Sequence, residues 1–286
     1  ESARRSYDRA SKNYTTYYGQ LALEKLGRNL PYDMMEPNIT LQWRNAKFIQ
    51  SSVFQAAILM LAADEKKLAE RFLTHLSESL SERSLLKLES FLIELDDPHI
   101  QIRFGKRQAS MGTIMFNSYF AIHEMADYQW AVPLDLLLSI ARRESEFDQN
   151  ATSSAGALGL MQVMPGTAKD MAKALKIPFD EKSLLTSWKY NVLLAATYLE
   201  ELSYKYRGNP ILIAASYNAG PANADKWIEY LGNPLDQTAD PVDWVEMIPF
   251  RETRNYVMRI TESLTLYRAK IEKKEIDHNF SEFLGS

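Results

Sequence analysis

The feature that most constrains this chain is a helical stripe that ends on a carboxylate. In Pro133-Leu-Asp-Leu-Leu-Leu-Ser-Ile-Ala-Arg-Arg-Glu-Ser-Glu-Phe147, the residues Leu137, Ile140, Ala141 and Glu144 recur at i, i+3, i+4 and i+7. That spacing is one face of a helix, and Pro133 suits a first helical turn, where a missing N–H is tolerated. A helix buried along this face carries Glu144 toward the core. Loss of water disfavours the charged form of a carboxyl group, so its pKa rises toward the range where it can hold and release a proton near neutrality. Glu144 is therefore a candidate general acid. The plain alternative is a structural glutamate neutralised by an arginine.

The stretch that follows, Asn150 to Thr167, is rich in small residues and broken by Gly156, Gly159 and Gly166. Glycine permits tight backbone and close approach to a ligand. Leu158 to Met164 is too short and too glycine-broken for a helix, and it reads as a turn or small hairpin beside the acidic helix. Ser153 and Gln162 offer a hydroxyl and an amide, groups that hydrogen-bond neutral polar ligands without adding charge. Met161 and Met164 read as core residues on a neutral view. Taken alone, the segment is equally a loop joining two helices.

Two later segments have related character. An apolar helix starting near Pro210 is stopped by Asn218, Gly220 and Pro221, a common helix-ending combination that leaves Tyr217 at its exit. A tyrosine there can stack on a sugar ring or donate its hydroxyl, though packing is the commoner role. Further on, Glu246 precedes a turn at Ile248-Pro249, which leads into a helix with Val257, Ile260, Leu264 and Tyr267 on its inward stripe. Arg251, Glu252, Arg254 and Arg259 read as a solvated, partly paired face rather than an anion site.

Four strings in this order, Ala141-Arg-Arg-Glu-Ser145, Gly156-Ala-Leu-Gly-Leu-Met-Gln-Val-Met-Pro-Gly-Thr-Ala168, Ala215-Ser-Tyr-Asn-Ala-Gly-Pro221 and Ile248-Pro-Phe-Arg-Glu-Thr-Arg-Asn-Tyr-Val257, resemble the lysozyme-like catalytic domain of soluble lytic transglycosylases, glycoside hydrolase family 23. Asn191 and Tyr198 resemble positions of that family's middle helix. The resemblance implies a mainly α fold with at most a small β-hairpin. It places the catalytic acid/base on Glu144, where periodicity also puts a buried carboxylate. It places Ser153, Gln162, Met164 and Tyr217 along a glycan cleft, with Glu246 as a supporting acidic position.

Glycosidases generally use two carboxylates, about 5 Å apart when one is a nucleophile and about 6.5 to 9.5 Å apart when one activates water. No second one is convincing here. Glu146 faces away from the stripe, and Asp148 lies at the helix end, where it equally serves the next turn. A single acid suffices if the substrate's 2-acetamido group assists. The resemblance implies that route. Glu144 protonates the β-1,4 glycosidic oxygen between N-acetylmuramic acid and N-acetylglucosamine, then deprotonates the muramyl 6-hydroxyl, leaving a 1,6-anhydromuramyl end.

Residues 1–110 read as amphipathic helices around Tyr14 to Leu26, Leu41 to Ala62, Glu65 to Ser77, Glu82 to Leu95, and after Asp97-Pro98, an N-cap and proline pair. Helices of this length stack into an α-solenoid or bundle. Tyr17 to Gly27 resembles, more loosely, the junction between the family's superhelical arm and its linker helices. The expected division is therefore an α-helical arm or linker domain at 1–110 and a catalytic domain at 111–286, with the break at Arg103 to Gly112.

Composition excludes several classes. A net charge of −4 without a basic tract argues against a nucleic-acid partner. His75, His99, His123 and His278 have no ligand spacing and there is no cysteine, so neither metal nor cofactor is expected. The longest apolar run, Val53 to Ala63, is too short to span a bilayer. The chain begins at Glu1 without methionine, as a processed or truncated product would. A periplasmic location, peptidoglycan strands as partner and a monomeric state are what the resemblance implies. A hydrolytic goose-type muramidase and a non-enzymatic helical scaffold that binds glycan or protein remain as alternative readings.

Overall fold

The computed structural model of the chain describes residues 2–31, 41–236, 238–273 and 279–285. It is built of helices. In chain order they are α1 (Ser2–Ser11), α2 (Tyr17–Lys25), α3 (Ser52–Ala62), α4 (Lys66–Ser77), α5 (Glu82–Leu95), α6 (Pro98–Ser110) and α7 (Phe116–Tyr119). There follow α8 (Leu134–Glu144), α9 (Pro165–Ala174), α10 (Ser183–Thr186), α11 (Trp188–Lys205), α12 (Pro210–Ala219), α13 (Pro221–Leu231), α14 (Pro241–Glu246), α15 (Arg251–Glu272) and α16 (Phe280–Gly285). Among the described residues, extended pairing is confined to isolated antiparallel bridges, Thr152 with Leu158 and Leu158 with Val163. The glycine-broken stretch is thus a small hairpin-like loop in an all-α chain.

The ends of these helices follow local chemistry. Asp97 accepts the Ile100 N–H at the start of α6, with Pro98 in the first helical position. Asn209 does the same for Leu212 ahead of Pro210 in α12, and Gly220, at φ +84°, ends α12 where Pro221 opens α13. Two segments differ from expectation. The stretch from Leu41 becomes helical only at Ser52, where the Ser51 hydroxyl accepts the Phe54 N–H, and short 3-10 turns at Trp43–Asn45 and Lys47–Gln50 precede it. The expected break at Arg103 to Gly112 is instead largely the body of α6. Gly105 serves there as a packing contact, since a Cβ would meet the Tyr119 backbone nitrogen at 2.5 Å.

The chain forms two compact units, one of Glu1–Tyr32 with Glu124–Ser286 and one of Asp33–His123. The second packs α3 on α4, α4 on α6, and α5 beside α6 and α7. Its core holds Phe54, Leu73, Leu88, Phe91, Leu92 and Phe104. Edge-on aromatic contacts run from Trp43 through Phe91 to Phe54.

The first unit does not follow the expected split at residue 110, because α2 belongs with the C-terminal helices. The Tyr17 N–H donates to the buried Glu262 carboxylate at 2.6 Å. Gln20 donates to the Glu262 carbonyl and accepts from the Thr265 hydroxyl. At the far end of α2, Glu24 accepts the Ser281 N–H of α16. These contacts tie α2 into the first unit in a way that no local pattern in residues 17–25 announces.

The centre of the first unit is α8 packed along α15. The stripe Leu137, Ile140 and Ala141 is fully buried, and so are Leu136, Leu138, Ser139 and Arg142, so α8 is enclosed on nearly every side. Arg268 closes the α8 start by pairing with the buried Asp135 at 2.8 Å. Among the described residues, no group of three or more His, Cys, Asp or Glu side chains is placed to hold a metal ion. His278 lies outside them. None of the described helices is long and apolar enough to cross a membrane.

Candidate active site

Glu144 is the last residue of α8, and the chain turns sharply after it. Glu146 and Phe147 both sit in the left-handed region, at φ +54° and +63°, a conformation that side-chain-bearing residues rarely adopt in succession. The buried Phe147 ring anchors that turn. The Glu144 carboxylate accepts a hydrogen bond from the Tyr256 hydroxyl at 2.7 Å, across 112 residues of sequence. Burial pushes Glu144 up to about 7. The Tyr256 bond and the nearby Arg143 oppose that rise, and the charge of Glu252 adds to it. Arg143 also lies over the Tyr256 ring, 5.9 Å from its centroid.

Tyr256 and Tyr217 are held well above the usual phenol range, first by burial and then by the Glu144 charge. Both therefore remain protonated donors. Tyr217 uses its hydroxyl on the Met161 carbonyl at 2.8 Å, and its ring lies 5.8 Å from that of Tyr198.

The glycine-rich loop is clamped beside Glu144 from three helices. From the end of α8, the Ser145 hydroxyl donates to the Leu160 carbonyl at 2.7 Å. From α11, the fully buried Asn191 donates to the Leu158 and Leu184 carbonyls and accepts the Met161 N–H. From α12, Tyr217 takes the Met161 carbonyl. Gly159, at φ +76°, is required by this clamp, because a Cβ would stand 2.1 Å from the Leu184 oxygen and 2.4 Å from the Asn191 amide.

Within the loop, Ser153 accepts the Ala157 N–H, and Gln162, itself at φ +49°, donates to the Ala151 and Gly159 carbonyls. Both side chains hold the loop's shape. Met161 is buried, as a neutral reading expects, but Met164 is 45% exposed at the start of α9 and presents an apolar face to solvent. Glu246 lies elsewhere. Its carboxylate accepts the Tyr18 hydroxyl at 2.7 Å and its carbonyl accepts from Arg254, in a pocket that Glu144 does not line.

Two residues near Glu144 escape a reading of the sequence by segments, Tyr256 and Glu252. For Tyr256 the available signal was its phase, since Tyr256, Ile260 and Leu264 recur at i, i+4 and i+8 and continue the inward stripe, whereas Glu252 one turn earlier is exposed. Thr253, also buried, donates to the Asn218 side chain at 2.7 Å and fixes the start of α15 against the end of α12.

Comparison with known proteins agrees with this layout. Residues 121–239 match the transglycosylase SLT domain family. The chain is 36% identical over 166 residues to a putative soluble lytic murein transglycosylase of Haemophilus influenzae, covering 58% of this chain and 27% of that protein. It is 37% identical over 138 residues to the soluble lytic murein transglycosylase of Escherichia coli K12, covering 48% of this chain and 21% of that one. The chain thus spans only about a quarter of the length of these relatives.

Among solved structures, the 70 kDa soluble lytic transglycosylase of Escherichia coli superposes with a TM-score of 0.77 at 22% identity, over 94% of this chain and 43% of that one. An inactive variant of lytic transglycosylase Slt from Pseudomonas aeruginosa gives 0.71 at 24% identity, over 95% and 44%. At such identities these two establish the fold. Residues 121–239 match the transglycosylase SLT domain, and the chain is similar in sequence over about half its length, and in fold, to soluble lytic transglycosylases.

Proposed function

We propose that this chain cleaves the β-1,4 bond between N-acetylmuramic acid and N-acetylglucosamine in peptidoglycan, with Glu144 as the single acid/base. The observation that carries the reading is a carboxyl group lifted to about 7 by burial and held at one oxygen by a tyrosine that stays protonated. Near neutral pH such a group is present in both protonation states, as one residue acting first as acid and then as base requires.

In the first step Glu144 gives its proton to the glycosidic oxygen as the bond from the muramyl C1 breaks, and the substrate's acetamido group shields the developing cation. In the second, Glu144 takes the proton of the muramyl 6-hydroxyl as that oxygen bonds to C1. A 1,6-anhydromuramyl end forms, Glu144 is protonated again, and no water is consumed. Tyr256 holds the carboxylate in place throughout. The neighbouring Glu252 charge favours the protonated form that starts the cycle.

On this reading Gln162, Ser153 and Tyr217 shape the cleft wall through the loop they hold, and the exposed Met164 offers an apolar surface to a sugar ring. Glu246 belongs to an adjoining region rather than to the bond-breaking centre. A periplasmic site of action, consistent with a cell-wall substrate, and action as a monomer belong to the same proposal.

The test is mass spectrometry of sacculi digested with the purified chain. Anhydromuramyl ends are expected. Reducing ends would make it a hydrolase of the goose-lysozyme kind, and intact sacculi that still bind the protein would make it a scaffold.

A further inference from the structure

We infer that Tyr128, Trp130 and Trp188 form an aromatic platform that takes a sugar ring of a glycan strand, away from the bond-breaking centre. Tyr128 and Trp130 lie in the segment leading into α8, and Trp188 opens α11. Their ring centroids stand 5.6 Å apart for Tyr128 and Trp188, 6.2 Å for Tyr128 and Trp130, and 6.4 Å for Trp130 and Trp188, so each ring packs against both others. The Trp130 indole N–H donates to the Met125 carbonyl at 2.8 Å, which fixes the segment that carries two of the rings.

This cluster is not enclosed as the aromatic core of the same unit is. Trp244 and Tyr267 are fully buried and Tyr256 nearly so, whereas Tyr128 leaves 43% of its surface in water and both tryptophans are only partly covered. What lies over the rings is the exposed Lys189, whose ammonium is 4.5 Å from the Tyr128 centroid and 5.5 Å from that of Trp188. A hydrogen bond donated to the Tyr128 hydroxyl, and to a lesser degree the charge of Glu124, raise Lys189 above its usual range. An exposed ammonium on a flexible stem exchanges a phenol for a sugar hydroxyl with little net change, which frees the ring faces.

Apolar ring surface beside exposed hydrogen-bonding groups, here Lys189 and Gln129, suits a sugar, whose C–H face lies on a ring while its hydroxyl and acetamido groups find polar partners. A membrane surface fits less well, because the same segment carries the exposed carboxylates Glu124 and Asp127, which anionic lipid would repel. The choice of glycan rests on the proposed function. Glu144 closes α8 at the end opposite this segment, and a helix of that length spans about 15 Å. Trp188 stands one turn before Asn191, which holds the loop beside Glu144. A strand cut at Glu144 therefore reaches the rings only if it extends well beyond the cut, so the platform acts on long strands and not on short ones.

The test uses the full chain and peptide-free glycan strands, released from sacculi with an amidase and sorted by length. Binding is followed by calorimetry in a Glu144→Gln background, which leaves the strands uncut. Adding Tyr128→Ala is expected to weaken binding of long strands by about tenfold, the scale of one ring contact, and to leave the shortest strands that bind unaffected. Trp188→Ala should weaken it comparably, and Trp188→Phe, which keeps a ring, should restore most of it. Melting curves matched to the parent would show that the exposed Tyr128 can be replaced without loss of fold, so that this variant decides if Trp188→Ala does not fold. With Glu144 intact, Tyr128→Ala should raise KM on long strands and leave kcat unchanged.

Equal affinity of Tyr128→Ala and its parent for long strands, an equal loss on the shortest ones, or no binding to any strand would overturn the inference even if sacculi are cleaved. Binding to vesicles of phosphatidylethanolamine and phosphatidylglycerol that is lost in Tyr128→Ala, with glycan binding unaltered, would overturn it in favour of a membrane contact. Length-dependent glycan binding lost in Tyr128→Ala, by a chain that with Glu144 in place leaves all glycan intact, would instead keep the platform and defeat the proposed function.

Discussion

Replacing Glu144 with glutamine separates what this residue does for catalysis from what its burial costs the fold. The carboxyl group moves from an ordinary 4.5 to about 7 on folding, chiefly through desolvation. Between those values the folded protein keeps a proton that the unfolded chain has released, so stability falls as pH rises through the window and the loss is complete above pH 7. At about 1.4 kcal/mol per tenfold change in proton affinity, the full effect is roughly 3 kcal/mol, and partial solvent access trims it to about 2–3 kcal/mol. Glutamine cannot ionise and keeps an oxygen for the Tyr256 hydroxyl. Glu144→Gln should therefore match wild type to within a constant offset at pH 4 and gain about 2–3 kcal/mol over it at pH 8.

Reading the difference between the two pH values removes that offset, which contains whatever the new amide N–H groups fail to satisfy. The buried Glu262 is also raised by desolvation, but it is common to both proteins and cancels. The assay is denaturant unfolding of each protein at pH 4 and pH 8, following the transition of the unit that contains Glu144, alongside turbidity clearing of sacculi. Clearing should be abolished in the variant. An identical stability gap at both pH values would refute the claim that Glu144 is lifted by burial, and clearing near the wild-type rate would remove it as the acid.

Other substitutions probe the surroundings of that carboxyl. Tyr256→Phe deletes the hydrogen bond that favours the charged form, so the fall in cleavage above pH 7 should move to higher pH while the maximum rate drops; a pH–rate profile with an unmoved limb would exclude Tyr256 as a positioning residue. Tyr217→Phe orphans the Met161 carbonyl and should lower stability by about 1 kcal/mol, with a larger proportional loss of cleavage, measured by melting and turbidity together. Asn191→Ala leaves the Leu184 carbonyl and the Met161 N–H of a buried clamp unpaired, while the Leu158 carbonyl keeps the Val163 N–H, and should cost roughly 2–4 kcal/mol by denaturant unfolding; a loss under about 1 kcal/mol would mean the loop holds itself. A fragment starting at Met111 lacks α2 and strips the Tyr17 and Gln20 contacts from Glu262, so gel filtration should find it aggregated; a monodisperse, cooperatively melting fragment would show the C-terminal helices suffice alone.

The parts of the molecule legible in the sequence are those governed by local rules. Helical phase placed Leu137, Ile140 and Ala141 on one buried face with the half-buried Glu144 at its end, because periodicity depends only on neighbours three and four residues away. Caps and breakers set the limits of α12 and α13 for the same reason. Tyr256 could have been found by extending the α15 stripe by one turn, but its bond to Glu144 spans 112 residues and no local pattern encodes it. The pairing of α2 with α15 is further still from local rules, since Tyr17 and Glu262 are 245 residues apart. The arginines of α15 read as a solvated, partly paired face, and they are one, with Arg251 and Arg259 exposed and Arg259 paired to Glu262. Met164 failed the expectation of burial, as hydrophobicity gives a preference for the interior while the clamp on Met161 decides which of the two methionines can reach it.

The clamp also bears on the proposal that a single carboxyl serves as both acid and base here. A glutamate at the last residue of a helix would ordinarily turn to solvent, where it would ionise near 4.5 and be useless as an acid at neutral pH. Three side chains from three helices, Ser145, Asn191 and Tyr217, instead fix the backbone of residues 158–161 beside it. Their hydrogen bonds go to main-chain atoms, so the wall they build is set by backbone geometry and tolerates change in the loop's side chains except where a Cβ would intrude, as at Gly159. Desolvation by burial raises Glu144, while Tyr256 and Arg143 limit the rise. The balance matters in both directions, because a carboxyl lifted much further would not give up its proton to the glycosidic oxygen readily, and one left near 4.5 would rarely have a proton to give. Loosening the wall should thus lower the pKa of Glu144 as well as the stability of the loop, which would move the fall in cleavage above pH 7 to lower pH in the Asn191 and Tyr217 variants rather than affect folding alone.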